Sequence, residues 1–175
     1  MDTRVNTKIF LKTVFLFPLF MIFIMFPLCV LIVITAFLPK GRVLATKLYE
    51  FFGWIGIVLV GVELNIIGAE KINPKKSYVV IGNHPSTLDI FTHITALPVS
   101  IRFLTKTELF RIPIFGRVLK TLGLPRIDRK NAKANFEKIN DSINQVIKLG
   151  NSIMIFPEGK RSNPVSYTHL TLPTT

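Results

Sequence analysis

His84 and Asp89 are the residues whose types and spacing suit proton transfer. An apolar run, Tyr78 to Ile81, reads as a short buried strand that breaks at Gly82. Ser86-x-x-Asp89 then has the pattern of a capping box and opens a helix. His84 falls in the strand-to-helix turn and Asp89 in the first turn of the helix. Along an unbroken helix, this spacing would leave the two side chains on poorly matched faces. From the turn, the imidazole can fold back toward the carboxylate. A carboxylate on one ring nitrogen fixes the tautomer and leaves the other nitrogen free to take a proton. The helix N-terminus beside the pair also offers free N–H groups to an anion. The competing reading makes Asp89 a cap and His84 a turn residue, with no chemistry.

Two other stretches suit anion binding. Between Arg102 and Lys138 there are ten Lys/Arg against three Asp/Glu. They form either a solvated basic face lying against anionic lipid or a set of grips on a phosphate, for which the Arg fork is well suited. Gly123-Leu124-Pro125-Arg126-Ile127-Asp128-Arg129 ends a strand with Arg129 at its tip, a place suited to a phosphate contact. Phe156-Pro157-Glu158-Gly159-Lys160-Arg161-Ser162 follows the last buried strand. Gly159 permits close backbone approach, Lys160 and Arg161 supply charge, and Glu158 can accept from a hydroxyl or steady a neighbouring Arg. An ordinary polar loop is the alternative for that stretch.

Short strands alternating with helices must position these groups from Glu63 onward. The pattern predicts strands at Glu63–Ile67, Tyr78–Ile81, Ile101–Thr105, Leu124–Ile127 and Ser152–Phe156, with a turn at Asn73-Pro74-Lys75-Lys76. Helices are predicted over Ser86–Ala96, Ile112–Leu122 and Ala132–Leu149. In the last, Ala132, Phe136, Ile139, Ile143 and Val146 make one apolar face, and Gly150 stops the helix. The alternation predicts an α/β fold: a mixed, largely parallel sheet with helices on its faces and chemistry in loops at one end of the strands.

A chain of 175 residues holds one domain plus an appendage, and its mean hydropathy of +0.46 is high for a soluble protein. The appendage is N-terminal. Thr13 to Leu38 contains 26 residues without a charge. As a helix it would be about 39 Å long, enough to cross a hydrocarbon core. Pro18 and Pro27 would kink it, so a re-entrant helix is equally compatible. The stretch is too long for a signal peptide and has no small-residue cleavage site. After a break at Lys40-Gly41, residues 48–62 read as an interfacial helix or, alternatively, an ordinary buried one. The expected organisation is an anchor over 1–62 and a domain over 63–164. Lys and Arg flank the apolar stretch on both sides, so charge does not set its orientation. The single cysteine, Cys29, can form no internal disulfide, and no Cys/His cluster has metal-ligand spacing.

Asn83-His84-x4-Asp89, Gly123 through Arg129 and Phe156-Pro-Glu-Gly-x-Arg-Ser162, in that order, resemble three ordered blocks of the glycerolipid acyltransferase family. Lys106-Thr-Glu-Leu109 with Ile112-Pro-Ile-Phe-Gly116 resembles its link between the first two blocks. The resemblance covers about Lys47 to Ser162. It implies a 1-acylglycerol-3-phosphate or glycerol-3-phosphate acyltransferase of phospholipid biosynthesis, membrane-bound with its catalytic domain on the cytoplasmic face. His84 would be the general base and Asp89 its orienting partner, with no acyl-enzyme. Arg129, Glu158, Gly159 and Arg161, helped by Lys106, would bind the glycerol-phosphate end of lysophosphatidate. The implied donor is acyl-CoA or acyl-carrier protein, with no metal or other cofactor. His93 matches no motif position and reads as a packing or surface residue.

Two departures stand out. Lys160 replaces the family's frequent Thr, and the family's fourth block has no counterpart. Residues 165–175 resemble adapter sequence translated onto a truncated reading frame, which removes His169 from any site argument. Three rivals follow: another acceptor such as glycerol 3-phosphate or a different lysolipid, an inactive membrane-bound fragment, and a nucleic-acid binder. The net charge of +12 fits the last, but the apolar anchor and the aromatic-poor basic segment do not.

Overall fold

Prolines shape the N-terminal hairpin. The computed structural model describes residue 15, residues 17–128, residue 131 and residues 134–158. Helix α1 (Phe17–Phe20) widens into a π turn (Met21–Met25) before α2 (Phe26–Thr35). Pro27 lies in the first turn of α2 and has no N–H to return to the preceding turn, so the ladder loosens between the two prolines. A widened turn thus lies between Pro18 and Pro27, the two positions at which kinks are expected.

The chain reverses at Lys40, which is left-handed with φ 59°. Helix α3 (Gly41–Val60) begins immediately after it. Its 20 residues give a length of about 30 Å, so the short interfacial helix expected over 48–62 is in fact a long one. The difference lies in its first turns. Gly41, Ala45 and Tyr49, four apart, are buried on one face, while Arg42, Lys47 and Glu50 are exposed. The helix therefore carries charges without burying them.

Leu28 and Ile32 of α2 and Ala45 and Tyr49 of α3 share one core with Ile94, Ile101, Phe103 and Met154. The apolar hairpin is packed into the sheet domain. Helix α4 (Asp89–Ala96) crosses α3 at Gly53 and Gly56. A methyl group on Gly53 would run into Ile94, and one on Gly56 would run into the Phe91 ring. Gly56→Leu should therefore destabilise the protein by about 1–3 kcal/mol through overpacking. A thermal unfolding midpoint equal to that of the wild type would refute this close packing.

Strands β1 (Val79–Ile81), β2 (Ile101–Phe103) and β5 (Ser152–Ile155) form a parallel sheet in the order β1-β5-β2. Val79 pairs with Ile153, Ile81 with Ile155, and Phe103 with Met154. Strands β3 (Thr105–Lys106) and β4 (Arg126–Ile127) form a second parallel pair. The strand expected over Ile101–Thr105 is thus split. Leu104 N–H still donates to Met154 O at 3.1 Å, whereas Thr105 N–H donates to Pro125 O at 2.9 Å, so the chain changes partner between the two residues. The expected strand Glu63–Ile67 is not one: it has no ladder partner among the described residues, and Ile66 and Ile67 are exposed. Asn73 makes the expected turn, its Oδ1 accepting from Lys75 N–H at 2.9 Å.

Helix α5 (Phe115–Thr121) follows Ile114, whose φ of 62° is strained for a β-branched residue. Helix α6 (Phe136–Lys148) is shorter than predicted. Of its expected apolar face, Val146 is buried and Ile139 and Ile143 are half-buried, while Phe136 is exposed. Ala132, Arg129, Gly159, Lys160, Arg161 and residues 165–175 lie outside the described residues.

Candidate active site

Parallel pairing brings the ends of three strands to one edge of the sheet. His84 follows β1, Phe156 follows β5, and Phe103 is the last residue of β2. Open α/β sheets bind ligands at this carboxyl end. Gly82 lets the segment leave β1 close to its neighbours: a Cβ there would lie 2.7 Å from Met154 Cε and 3.2 Å from His93 Nε2.

His84 Nδ1 donates to Asp89 Oδ2 at 2.8 Å, and Ser86 N–H donates to the same oxygen at 2.9 Å. A carboxylate only accepts, so the proton of the neutral imidazole sits on Nδ1 and Nε2 presents a lone pair. The two side chains are 20% and 13% exposed, so His84 is sheltered but reachable. The expected capping box is half made. Asp89 takes the Ser86 N–H as expected, but Ser86 Oγ accepts from Leu88 N–H at 3.1 Å rather than from Asp89. The helix starts at Asp89, and Ser86 caps the turn before it.

Phe156 is the contact that sequence reasoning missed. Its ring lies flat on His84, centroids 4.2 Å apart and planes within 12°, and Phe103 stacks on it at 5.8 Å. Its position directly after a buried strand was the available signal, but not its orientation. His93, read as a packing or surface residue, is a packing one: half-buried, its ring nearly perpendicular to that of Phe156 with centroids 5.6 Å apart.

An apolar cavity of about 160 Å³ lies between the N-terminal hairpin and the sheet domain. Met25, Leu28, Phe52, Ile90, Phe103 and Val118 are among the residues that line it. Ile90 adjoins Asp89, and Phe103 touches both the cavity and the Phe156 stack. Its apolar lining suits hydrocarbon. Both apolar helices contribute walls, a role that their sequences did not reveal.

The expected anion-binding residues divide. Lys106 is exposed on β3, in register with Ile127, and so stands beside the strand that leads toward Arg129. Glu158 lies two residues beyond Phe156, and its buried Oε2 has no hydrogen-bond partner among the described residues. Arg129, Gly159 and Arg161 fall outside the described residues, so their expected roles have no geometry here. Arg102 departs from the basic-face reading. It is buried at the sheet and binds backbone and hydroxyl groups, not an anion site. Among the described residues no His/Cys/Asp/Glu group is arranged to hold a metal ion.

Residues 63–173 match the Acyltransferase family. The chain is 33% identical over 125 residues to a 1-acyl-sn-glycerol-3-phosphate acyltransferase of Cocos nucifera, covering 71% of this chain and 40% of that protein. It is 30% identical over 113 residues to the Saccharomyces cerevisiae enzyme of the same name, covering 65% of this chain and 37% of that one. The chain thus spans about 40% of the length of these relatives. The crystal structure of the 1-acyl-sn-glycerophosphate (LPA) acyltransferase PlsC from Thermotoga maritima has the same fold, with a TM-score of 0.66 at 24% identity. That likeness covers 93% of this chain and 64% of the other. The family match takes in the His84–Asp89 pair, the Phe156 stack and Glu158, and the chain belongs to the acyltransferase family.

Proposed function

We propose that this chain transfers a fatty acyl group from acyl-CoA or acyl-carrier protein to the free hydroxyl of 1-acylglycerol 3-phosphate, giving phosphatidic acid. The observation that carries the reading is the His84–Asp89 contact of 2.8 Å at the carboxyl end of the sheet, with an apolar cavity lined by the neighbouring Ile90 and Phe103. His84 Nε2 takes the proton of the acceptor hydroxyl as its oxygen attacks the thioester carbonyl. Asp89 holds the tautomer and stabilises the imidazolium that forms. The tetrahedral intermediate collapses, the C–S bond breaks, and the leaving thiolate takes the proton back from Nε2. No acyl-enzyme and no metal or other cofactor enter this scheme. The donor chain occupies the cavity. Lys106 and Glu158, with Arg129, Gly159 and Arg161, hold the glycerol-phosphate end of the acceptor.

The helices Pro18–Thr35 and Gly41–Val60 are long and apolar enough to cross a membrane. Phe23, Phe26, Phe37, Trp54 and Leu59 point large apolar surface outward, which supports seating in a bilayer. In this reading the catalytic domain lies at the cytoplasmic face, where it meets the thioester donor.

The experiment is acyl transfer from labelled acyl-CoA by membranes carrying this chain, with lysophosphatidate and glycerol 3-phosphate offered separately. The expected product is phosphatidic acid from lysophosphatidate. Transfer to glycerol 3-phosphate alone would change the acceptor and keep the chemistry. No transfer to either would overturn the reading for this chain.

A further inference from the structure

His93 stands one turn beyond Asp89 on α4. Its Nδ1 donates to the Asp89 main-chain carbonyl at 2.6 Å, because a carbonyl can only accept. Thr92 Oγ1 donates to the same oxygen at 3.1 Å. The His93 and Phe156 rings stand nearly perpendicular, with centroids 5.6 Å apart and an interplanar angle of 80°. Phe156 in turn lies flat on His84, and His84 returns to the Asp89 carboxylate. Four contacts therefore close a circuit through His84, Phe156, His93 and Asp89. His93 thus packs against the ring on which His84 rests and also bonds to the main chain of the residue that orients His84.

We propose that His93 is a positioning residue for His84, holding Phe156 upright and fixing the first turn of α4 so that Nε2 keeps one direction. The proposal rests on the reading of His84 as the general base. The perpendicular ring contact helps to hold Phe156 in place. With the brace removed, Phe156 tips toward the vacated space and the His84 ring loses its flat support. Small misplacements of a reacting group lower rates steeply while leaving binding intact.

The test uses the whole chain in detergent micelles, with His93→Ala, His93→Asn and His93→Phe beside a His84→Ala control. Asparagine keeps a donor near the Nδ1 position and loses the ring. Phenylalanine keeps a ring and loses the donor. Two readouts are taken: kcat and KM for acyl-CoA and lysophosphatidate, and the imidazole ¹⁵N signals of His84. The expected result for His93→Ala is a fall in kcat of about 10-fold with both KM values within about twofold. The His84 signals should shift from a single Nδ1–H tautomer toward a mixture. Asparagine and phenylalanine should each recover part of the loss, and they carry the comparison if the alanine variant fails to fold. Unchanged kcat with unchanged His84 signals would overturn the proposal, as would a raised KM with unchanged signals. Wild-type turnover in His84→Ala would instead refute the base, and the ¹⁵N comparison would still decide whether His93 positions the ring.

Discussion

His84→Ala should lower acyl transfer by about 10²–10⁴-fold while leaving acceptor affinity within about twofold. The side chain contributes one acceptor lone pair at Nε2, and no other described group on the segment from Gly82 to Asp89 can take its place. The acceptor's phosphate would still meet the cationic residues, and the donor chain would still meet the cavity wall. The loss therefore falls on kcat. Asp89→Asn should produce a fall of similar size by a different route. An amide can present its NH₂ to Nδ1, which puts the imidazole proton on Nε2 and blocks the base. The same change removes the charge that stabilises the imidazolium. Initial rates over a range of lysophosphatidate concentrations separate kcat from KM for both variants. Turnover in His84→Ala within a factor of ten of the wild type would sink the base assignment.

The His84–Asp89 pair was legible because its cause is local. A turn and one helical turn suffice to bring the two side chains together, and both are written in Gly82, Ser86 and Asp89. Strands β1 and β5 were legible as apolar runs, but β1 is not buried as expected: it lies at the edge of the sheet, with Val79 54% and Ile81 68% exposed. The split of the strand after Ile101 was not legible, since only the partner strand decides where Leu104 stops pairing with one sheet and Thr105 joins another. The Phe156 stack needs β1 and β5 in parallel register, a contact across 72 residues of sequence that no spacing encodes. The apolar cavity was hidden for a similar reason: Met25 and Leu28 lie in the stretch read as a membrane helix, and only the packing of that stretch against the sheet domain makes them cavity walls.

Arg102→Ala should lower the thermal unfolding midpoint by roughly 10 °C, the equivalent of about 3–5 kcal/mol in a chain of this size. In the sequence Arg102 was one of ten basic residues with no mark to separate it from a solvated face. In the structure it is 1% exposed. Its Nε donates to Leu122 O at 2.8 Å, one terminal nitrogen to Ser100 Oγ at 2.9 Å and Ile101 O at 3.0 Å, and the other to Thr46 Oγ1 at 2.7 Å. The guanidinium also lies 5.4 Å from the centre of the Tyr49 ring. Among the described residues no carboxylate lies within ion-pair distance of it. Burial pushes its pKa below the ordinary arginine value, opposed by Tyr49 and Glu50, and a guanidinium keeps its proton even so. The charge is held by carbonyl and hydroxyl dipoles alone, and the fork ties α3 to β2 and to the end of α5. Alanine would strand the Leu122 and Ile101 carbonyls and open a cavity. Lysine keeps the charge, but its three donors radiate from one atom and cannot span from Leu122 to Thr46, so Arg102→Lys should unfold between alanine and the wild type. An Arg102→Lys midpoint equal to the wild type would mean that the charge, and not the fork, matters here. An unchanged midpoint for alanine would refute the buried bridge. Because β2 ends at Phe103 under the Phe156 stack, loosening this bridge should also reduce kcat before the protein unfolds.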